Sequence, residues 1–259
     1  MTITRRRFGS ICGGTLIASG FGGGCDLQSL PLAGGDGRLS ARPAAGAKTT
    51  AAGTRPLELE RNRDAVLQMP GAVPATPLPL LLMLHGAGGS GQGVLRRVAA
   101  AAEDAGVAVL APDSRDGTWD AIRGSFGRDV AFIDRALAKV FEIVSVDPQR
   151  IAVGGFSDGA SYALSLGLVN GDLFRTIVAF SPGFIVDGVD AGGRGRPEVF
   201  ISHGTSDQIL PIDQCSRRIV PQLRRSGYTV TFREFEGRHE LPLDIARAGL
   251  EAVSRKPSG

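Results

Sequence analysis

The sequence is poor in the residues that build metal and disulfide centres. It holds three cysteines and three histidines. Neither C-x-x-C nor H-E-x-x-H spacing occurs, which excludes the commonest zinc and dithiol sites. Cys12, Cys25 and Cys215 are too few to frame a disulfide scaffold, although a Cys25–Cys215 pairing stays open for an exported chain. Long apolar runs are also missing. The stretch Ile11–Ala18 is short and rich in glycine, which excludes a transmembrane helix there. Nor does one sign of charge dominate. The formal net charge of +3 comes from 29 Lys+Arg against 26 Asp+Glu, and Arg5, Arg6 and Arg7 are the only charged residues before Asp26. Without the first 24 residues the balance is 26 to 26, which gives no electrostatic case for a nucleic-acid partner.

That leader carries a signal of its own. Thr4-Arg5-Arg6-Arg7-Phe8 matches the twin-arginine export pattern, with the weakly apolar Ile11–Ala18 behind it. Gly22-Gly23-Gly24-Cys25 is similar to a lipoprotein cleavage site, in which Cys25 becomes the lipidated first residue. Gly22, however, stands where such sites usually carry leucine. Two outcomes stay open: membrane attachment through a lipidated Cys25, or cleavage nearby without lipid. The expectation is an exported bacterial protein, periplasmic or membrane-anchored. Residues 1–25 read as the signal peptide and 26–55 as a flexible linker rich in Gly, Ala, Pro and Ser. A single domain fills 56–259.

Within that domain, 42% hydrophobic and 21% charged residues over the whole chain are ordinary for a globular protein. Leu57–Arg61 alternates as an exposed edge strand would. Met69–Pro79 carries four prolines and reads as a loop. Leu80–Leu84 is a continuous apolar run of the kind found in central parallel strands. Further strands are expected at Val107–Leu110, Ile151–Val153, Thr176–Phe180, Val199–Ser202 and Val230–Phe235. Helical segments fall between them, near 92–105, 128–145, 158–169, 213–226 and 241–254. This alternation predicts an α/β fold with a mostly parallel sheet covered on both faces. The sizeable insertions, near 113–128 and 182–197, leave no room for a large lid.

The chain is organised around Gly154-Gly155-Phe156-Ser157-Asp158-Gly159. A serine between strand and helix, with glycine two before and two after, fits the nucleophile elbow G-x-S-x-G. Such a turn strains the serine backbone and crowds its neighbours, so glycine is needed at 155 and 159. A serine nucleophile needs a general base, and the base an orienting carboxylate. His85 and His203 each close a strand; His239 lies in the loop after the last one. The order Ser, Asp, His selects His239, since it alone leaves room for an acid between itself and Ser157. Asp207, five residues past Ser202, is the preferred acid. Asp213 is the runner-up but reads as the start of the next helix, and Asp187 and Asp190 come one strand too early.

Oxyanion donors are expected from the backbone N–H of Asp158 and of Ala87, the latter in the loop His85-Gly86-Ala87-Gly88-Gly89-Ser90-Gly91. His85 then serves as a hydrogen-bonding support beneath that loop. The same loop also spells G-x-G-x-x-G, with Asp113 at the next strand end, as in an NAD(P)-binding oxidoreductase. Yet Asp113 lies 27 residues beyond Gly86 rather than about 20, and that reading leaves Ser157, Asp207 and His239 without a role. The serine-hydrolase reading is preferred. Trp119 and Phe156 are expected to contact substrate, and Asp129 to begin a helix.

Leu84-His85-Gly86-Ala87-Gly88-Gly89, Ala111-Pro112-Asp113-Ser114-Arg115, Gly155-Phe156-Ser157-Asp158-Gly159, His203-Gly204-Thr205-Ser206-Asp207 and Gly237-Arg238-His239 together resemble the phospholipase/carboxylesterase branch of the α/β-hydrolase superfamily. Relatives include bacterial secreted esterases and depolymerase-like or feruloyl-esterase-like proteins. The resemblance implies a single-domain α/β-hydrolase fold and a cofactor-independent esterase acting on a small-molecule ester. It implies Ser157 as nucleophile, His239 as base, Asp207 as acid, and Ala87 and Asp158 as oxyanion positions. Arg238 is a departure, since many relatives carry a small residue or proline there. Thioesterase and peptidase chemistry use the same site and stay open.

Overall fold

The computed structural model describes residues 35–43, 47, 51–186 and 194–256. The expectations for the signal peptide, Cys25, Asp187 and Asp190 lie outside the described residues. Eight strands form the sheet: Gly53–Pro56 (β1), Ala65–Met69 (β2), Leu78–Leu84 (β3), Ala108–Pro112 (β4), Val146–Phe156 (β5), Thr176–Phe180 (β6), Glu198–Gly204 (β7) and Val230–Phe235 (β8). Five α-helices accompany them: Gly91–Ala105 (α1), Arg128–Ile143 (α2), Asp158–Val169 (α3), Ser216–Arg225 (α4) and Leu243–Ser254 (α5).

The strand order is β1-β2-β4-β3-β5-β6-β7-β8, parallel from β4 to β8 and antiparallel at β1 and β2. Every residue of β3 is buried, and its period of two explains the continuous apolar run. Leu80, Leu82 and Leu84 belong to the core on the face covered by α2, α3 and α4, whereas Leu81 and Met83 belong to the core on the face covered by α1 and α5. Helix α1 starts where the Ser90 hydroxyl accepts the Gly93 N–H, and stops at Gly106, whose left-handed φ of 62° suits glycine.

Three expectations need correction. Leu57–Arg61 is a turn rather than an edge strand. The Glu58 and Leu59 N–H groups donate to the Asp64 carboxylate at 2.7 and 3.1 Å, closing the connection from β1 to β2. Strand β2 itself, Ala65-Val66-Leu67-Gln68-Met69, escapes a search for alternation because Gln68 is buried among apolar neighbours. The proline-rich loop is shorter than expected, since β3 begins at Leu78; Pro79 falls where the β3–β5 register shifts, a place that spares it a ladder hydrogen bond.

The expected linker is not free along its whole length. Asn170, at the end of α3, accepts the Leu39 N–H at 2.9 Å and donates to the Gly37 carbonyl at 2.8 Å. Asp134 on α2 accepts the Ser40 and Ala41 N–H groups, both at 2.8 Å. Leu39 and Ala41 are buried. Their apolar contacts and the satisfied backbone hold residues 37–42 against the domain. Among the described residues, no helix is long and apolar enough to cross a membrane.

Candidate active site

Strand β5 delivers Phe156 into a sharp turn, and Ser157 has φ 59° and ψ −122°, a strained conformation for a residue with a Cβ. The turn is held by the Ser157 N–H, which donates to the Phe180 carbonyl at 3.0 Å. A Cβ at Gly155 would lie 2.2 Å from the Gly159 backbone, and one at Gly159 would lie 2.3 Å from the Leu84 carbonyl oxygen. Both glycines are therefore steric requirements of the elbow. Ser157 stands at the amino end of α3, level with the carboxyl ends of β3, β6 and β7.

His239, in the loop after β8, places Nε2 2.9 Å from Ser157 Oγ and Nδ1 2.6 Å from Asp207 Oδ2. An ionised carboxylate only accepts, so Nδ1–H donates to Asp207 and Nε2 is left to accept the serine proton. Burial alone would raise the Asp207 carboxyl. Hydrogen bonds from the Leu210 N–H, His239 and the Ile209 N–H outweigh it and hold the group below its ordinary value. The carboxyl is thus held ionised beside the imidazole.

The loops that meet here do so because Gly204 has no side chain: a Cβ there would lie 2.3 Å from the Arg238 carbonyl oxygen. His203, to which the sequence pointed without a role, supports Asp207. Its Nε2–H lies 2.8 Å from the Leu210 carbonyl and 3.2 Å from Asp207 Oδ2, while Nδ1 accepts the Ser216 hydroxyl at 2.7 Å. Burial lowers its pKa and keeps it neutral beside Asp207. Asp213 is not in the site. Its side chain is 77% exposed and pairs with Arg217 at 2.7 Å, upstream of α4.

The loop after β3 runs beside Ser157; a Cβ at Gly86 would lie 3.2 Å from the Ser157 Cβ. Among the described residues, neither the Ala87 N–H nor the Asp158 N–H donates to a protein acceptor. Such idle N–H groups flanking a nucleophile suit a developing oxyanion. His85 is the expected support beneath the loop. Nδ1–H donates to the Gly86 carbonyl at 2.8 Å, and Nε2 accepts the Ser114 N–H at 3.0 Å. Burial depresses its pKa, consistent with a neutral ring.

Trp119, expected to contact substrate, is instead buried beneath the loop. It is 0% exposed, its Nε1–H donates to the His85 carbonyl at 2.8 Å, and its ring lies between those of His85 and Tyr162 at 4.9 and 5.2 Å. The insertion at 113–128 folds inward beneath the loop, which is why the tryptophan is a brace. Phe156 does reach a cavity of about 390 Å³ that also touches Gly86, Ala87, Arg96 and Arg97, and its ring centroid is 4.9 Å from that of His239. Asp129 lies in the first turn of α2 and accepts the Arg115 and Asp120 N–H groups at 2.5 and 2.7 Å.

The dinucleotide alternative loses its acid. Asp113 Oδ1 accepts the Gly91 N–H at 2.6 Å in the first turn of α1, so it braces the loop and does not face a ribose.

Residues 70–248 match the family model described as Phospholipase/Carboxylesterase. The chain belongs to this family. Among similar proteins is feruloyl esterase C of Emericella nidulans, 30% identical over 160 residues, which cover 58% of this chain and 57% of that one. The chain thus spans little more than half of that relative. Two solved structures show likeness of fold: S-formylglutathione hydrolase of Staphylococcus aureus (TM-score 0.62, 16% identity, 81% of this chain and 100% of that one) and the Bacillus cereus carboxylesterase (TM-score 0.56, 21% identity, 75% and 94%). In this phospholipase/carboxylesterase family member, the eight-stranded sheet and its helices are an α/β-hydrolase fold.

Proposed function

We propose that the protein is a serine esterase that hydrolyses carboxylic esters of small molecules through an acyl-enzyme. The continuous hydrogen-bonded line from Ser157 Oγ through His239 to Asp207 carries this reading. Ser157 Oγ attacks the ester carbonyl as His239 Nε2 takes its proton. The Ala87 and Asp158 N–H groups receive the oxygen's negative charge. The C–O bond breaks, and His239 returns the proton to the departing alcohol. Water repeats the cycle and frees the acid, with Asp207 stabilising the imidazolium each time. These steps draw only on the chain's own residues and water. The family match and the relative named feruloyl esterase support an ester as the substrate.

Labelling with a fluorophosphonate probe, followed by peptide mapping, tests the reading. Modification of Ser157 is expected, with loss of p-nitrophenyl ester hydrolysis in step. Absence of labelling, together with no turnover across an ester panel, would remove it. The leader supports export through the twin-arginine route and, through Gly22–Cys25, a lipid anchor. Mass spectrometry of the mature amino terminus, isolated from membrane and periplasmic fractions, distinguishes lipidated Cys25 from a simple cleavage.

A further inference from the structure

The cavity beside Phe156 has a feature the esterase chemistry does not call on: two arginines from α1 line it. Among the described residues, neither Arg96 nor Arg97 has a carboxylate within ion-pair distance. Elsewhere in the domain Arg115, Arg135, Arg150 and Arg217 are each tied to an acid. The Arg97 guanidinium lies over the Phe156 ring, 5.0 Å from its centroid, and that ring also lies 4.9 Å from His239. A guanidinium on an aromatic face is steered without losing its hydrogen-bond donors. The cation is therefore joined to the catalytic imidazole through one ring, and the cavity opens onto Gly86 and Ala87 of the oxyanion loop.

His239 is the group that protonates the leaving oxygen, so the alcohol part of an ester departs on its side. We propose that this cavity is a leaving-group subsite for an anion, and that the favoured esters carry a carboxylate or phosphate on the alcohol part. The inference rests on the esterase reading and adds to it the charge and the side of the substrate. Arg97 and Arg96 supply charge-assisted hydrogen bonds to that anion, and the Phe156 ring packs on the alcohol body.

The test compares 4-acetoxybenzoate with its methyl ester, each kcat/KM divided by that ester's rate with hydroxide. The anionic ester is expected to be favoured roughly tenfold at low salt, and less as ionic strength rises. Arg97→Gln and Arg96→Gln should bring the ratio towards one, while Arg97→Lys keeps part of it. Arg225→Gln, at the far end of α4, should leave the ratio as it is. 4-Acetoxyphenyl phosphate separates a phosphate preference from a carboxylate one. In 4-nitrophenyl hemisuccinate the charge sits on the acyl side, and no Arg97-dependent preference is expected. Fluorophosphonate labelling of Ser157 in each variant reports a folded site. Turnover of neutral and anionic esters with no arginine-dependent ratio, or with one only on the acyl side, overturns the subsite and leaves the esterase reading standing. Failure to hydrolyse any of these esters removes both.

Discussion

Replacing Ser157 with alanine deletes one oxygen and leaves the elbow glycines, the Phe180 hydrogen bond and the packing of α3 in place. Ester hydrolysis should fall by at least about 10³-fold with the melting temperature little changed; assay and thermal melt on the same preparation check both. Asp207→Asn should cripple turnover, since an amide cannot hold Nδ1–H as the carboxylate does, whereas Asp213→Asn only breaks an exposed pair with Arg217. The reverse ranking in kcat/KM would move the acid. Trp119→Phe keeps the stack but loses the hydrogen bond to the His85 carbonyl. It should lower kcat about tenfold with KM little moved, because it loosens a donor loop rather than a substrate contact. The convergence of Ser157, His239 and Asp207 was legible in the sequence because glycine spacing and strand ends locate them. The brace was not, because a lone tryptophan in an insertion carries no sign of which way it turns. What turns it inward is the union of His85 and Tyr162, both distant in sequence, with the hydrogen bond from Tyr162 to the neighbouring Asp120.

The apolar runs of β3 to β7 could be read in advance because they answer to helices on both faces. The antiparallel edge could not. Strand β1 is short and mostly exposed, and Leu57 is buried inside a turn, so alternation there misled. The junction of β5 and α3 is the least tolerant element. Gly159→Ala would drive a Cβ to 2.3 Å from the Leu84 carbonyl, in a place where backbone must move. A destabilisation of about 3 kcal/mol or more is expected, read from denaturant melts. The docked segment before β1 makes a softer prediction. Asn170 bonds both Gly37 and Leu39, so Asn170→Ala loosens the segment around residues 37–39 without touching Ser157, Asp207 or His239. Trypsin should then cut after Arg38 or Arg42 several-fold faster, and Ser157 labelling should be retained.

Beyond residue 24, acidic and basic residues balance, so repulsion across the whole surface contributes little and individual groups govern how stability varies with pH. Two sets pull in opposite directions. The Asp207, Asp147 and Glu234 carboxyls are held low by their hydrogen bonds and ion pairs. The stability they add is present above their ordinary pKa and is lost as pH falls through the lowered values. Asp129 is the opposite case. Burial pushes it up to about 6, against the pull of the Arg115 and Asp120 N–H groups. Between its ordinary value of 3.8 and about 6 the folded chain holds a proton that the unfolded chain gives up. Stability from this group is therefore full below the ordinary value and lost as pH rises through about 6. A displacement of about two pH units corresponds to at most about 3 kcal/mol. Asp129→Asn cannot titrate, and its constant packing cost cancels when one pH is compared with another. Melting temperatures at pH 4, 5, 6 and 7 should show wild type gaining most over the variant at pH 4, with several degrees of that advantage gone by pH 7. A difference that stays flat, or grows with pH, would mean that Asp129 is ionised throughout and that its two backbone N–H bonds outweigh its burial.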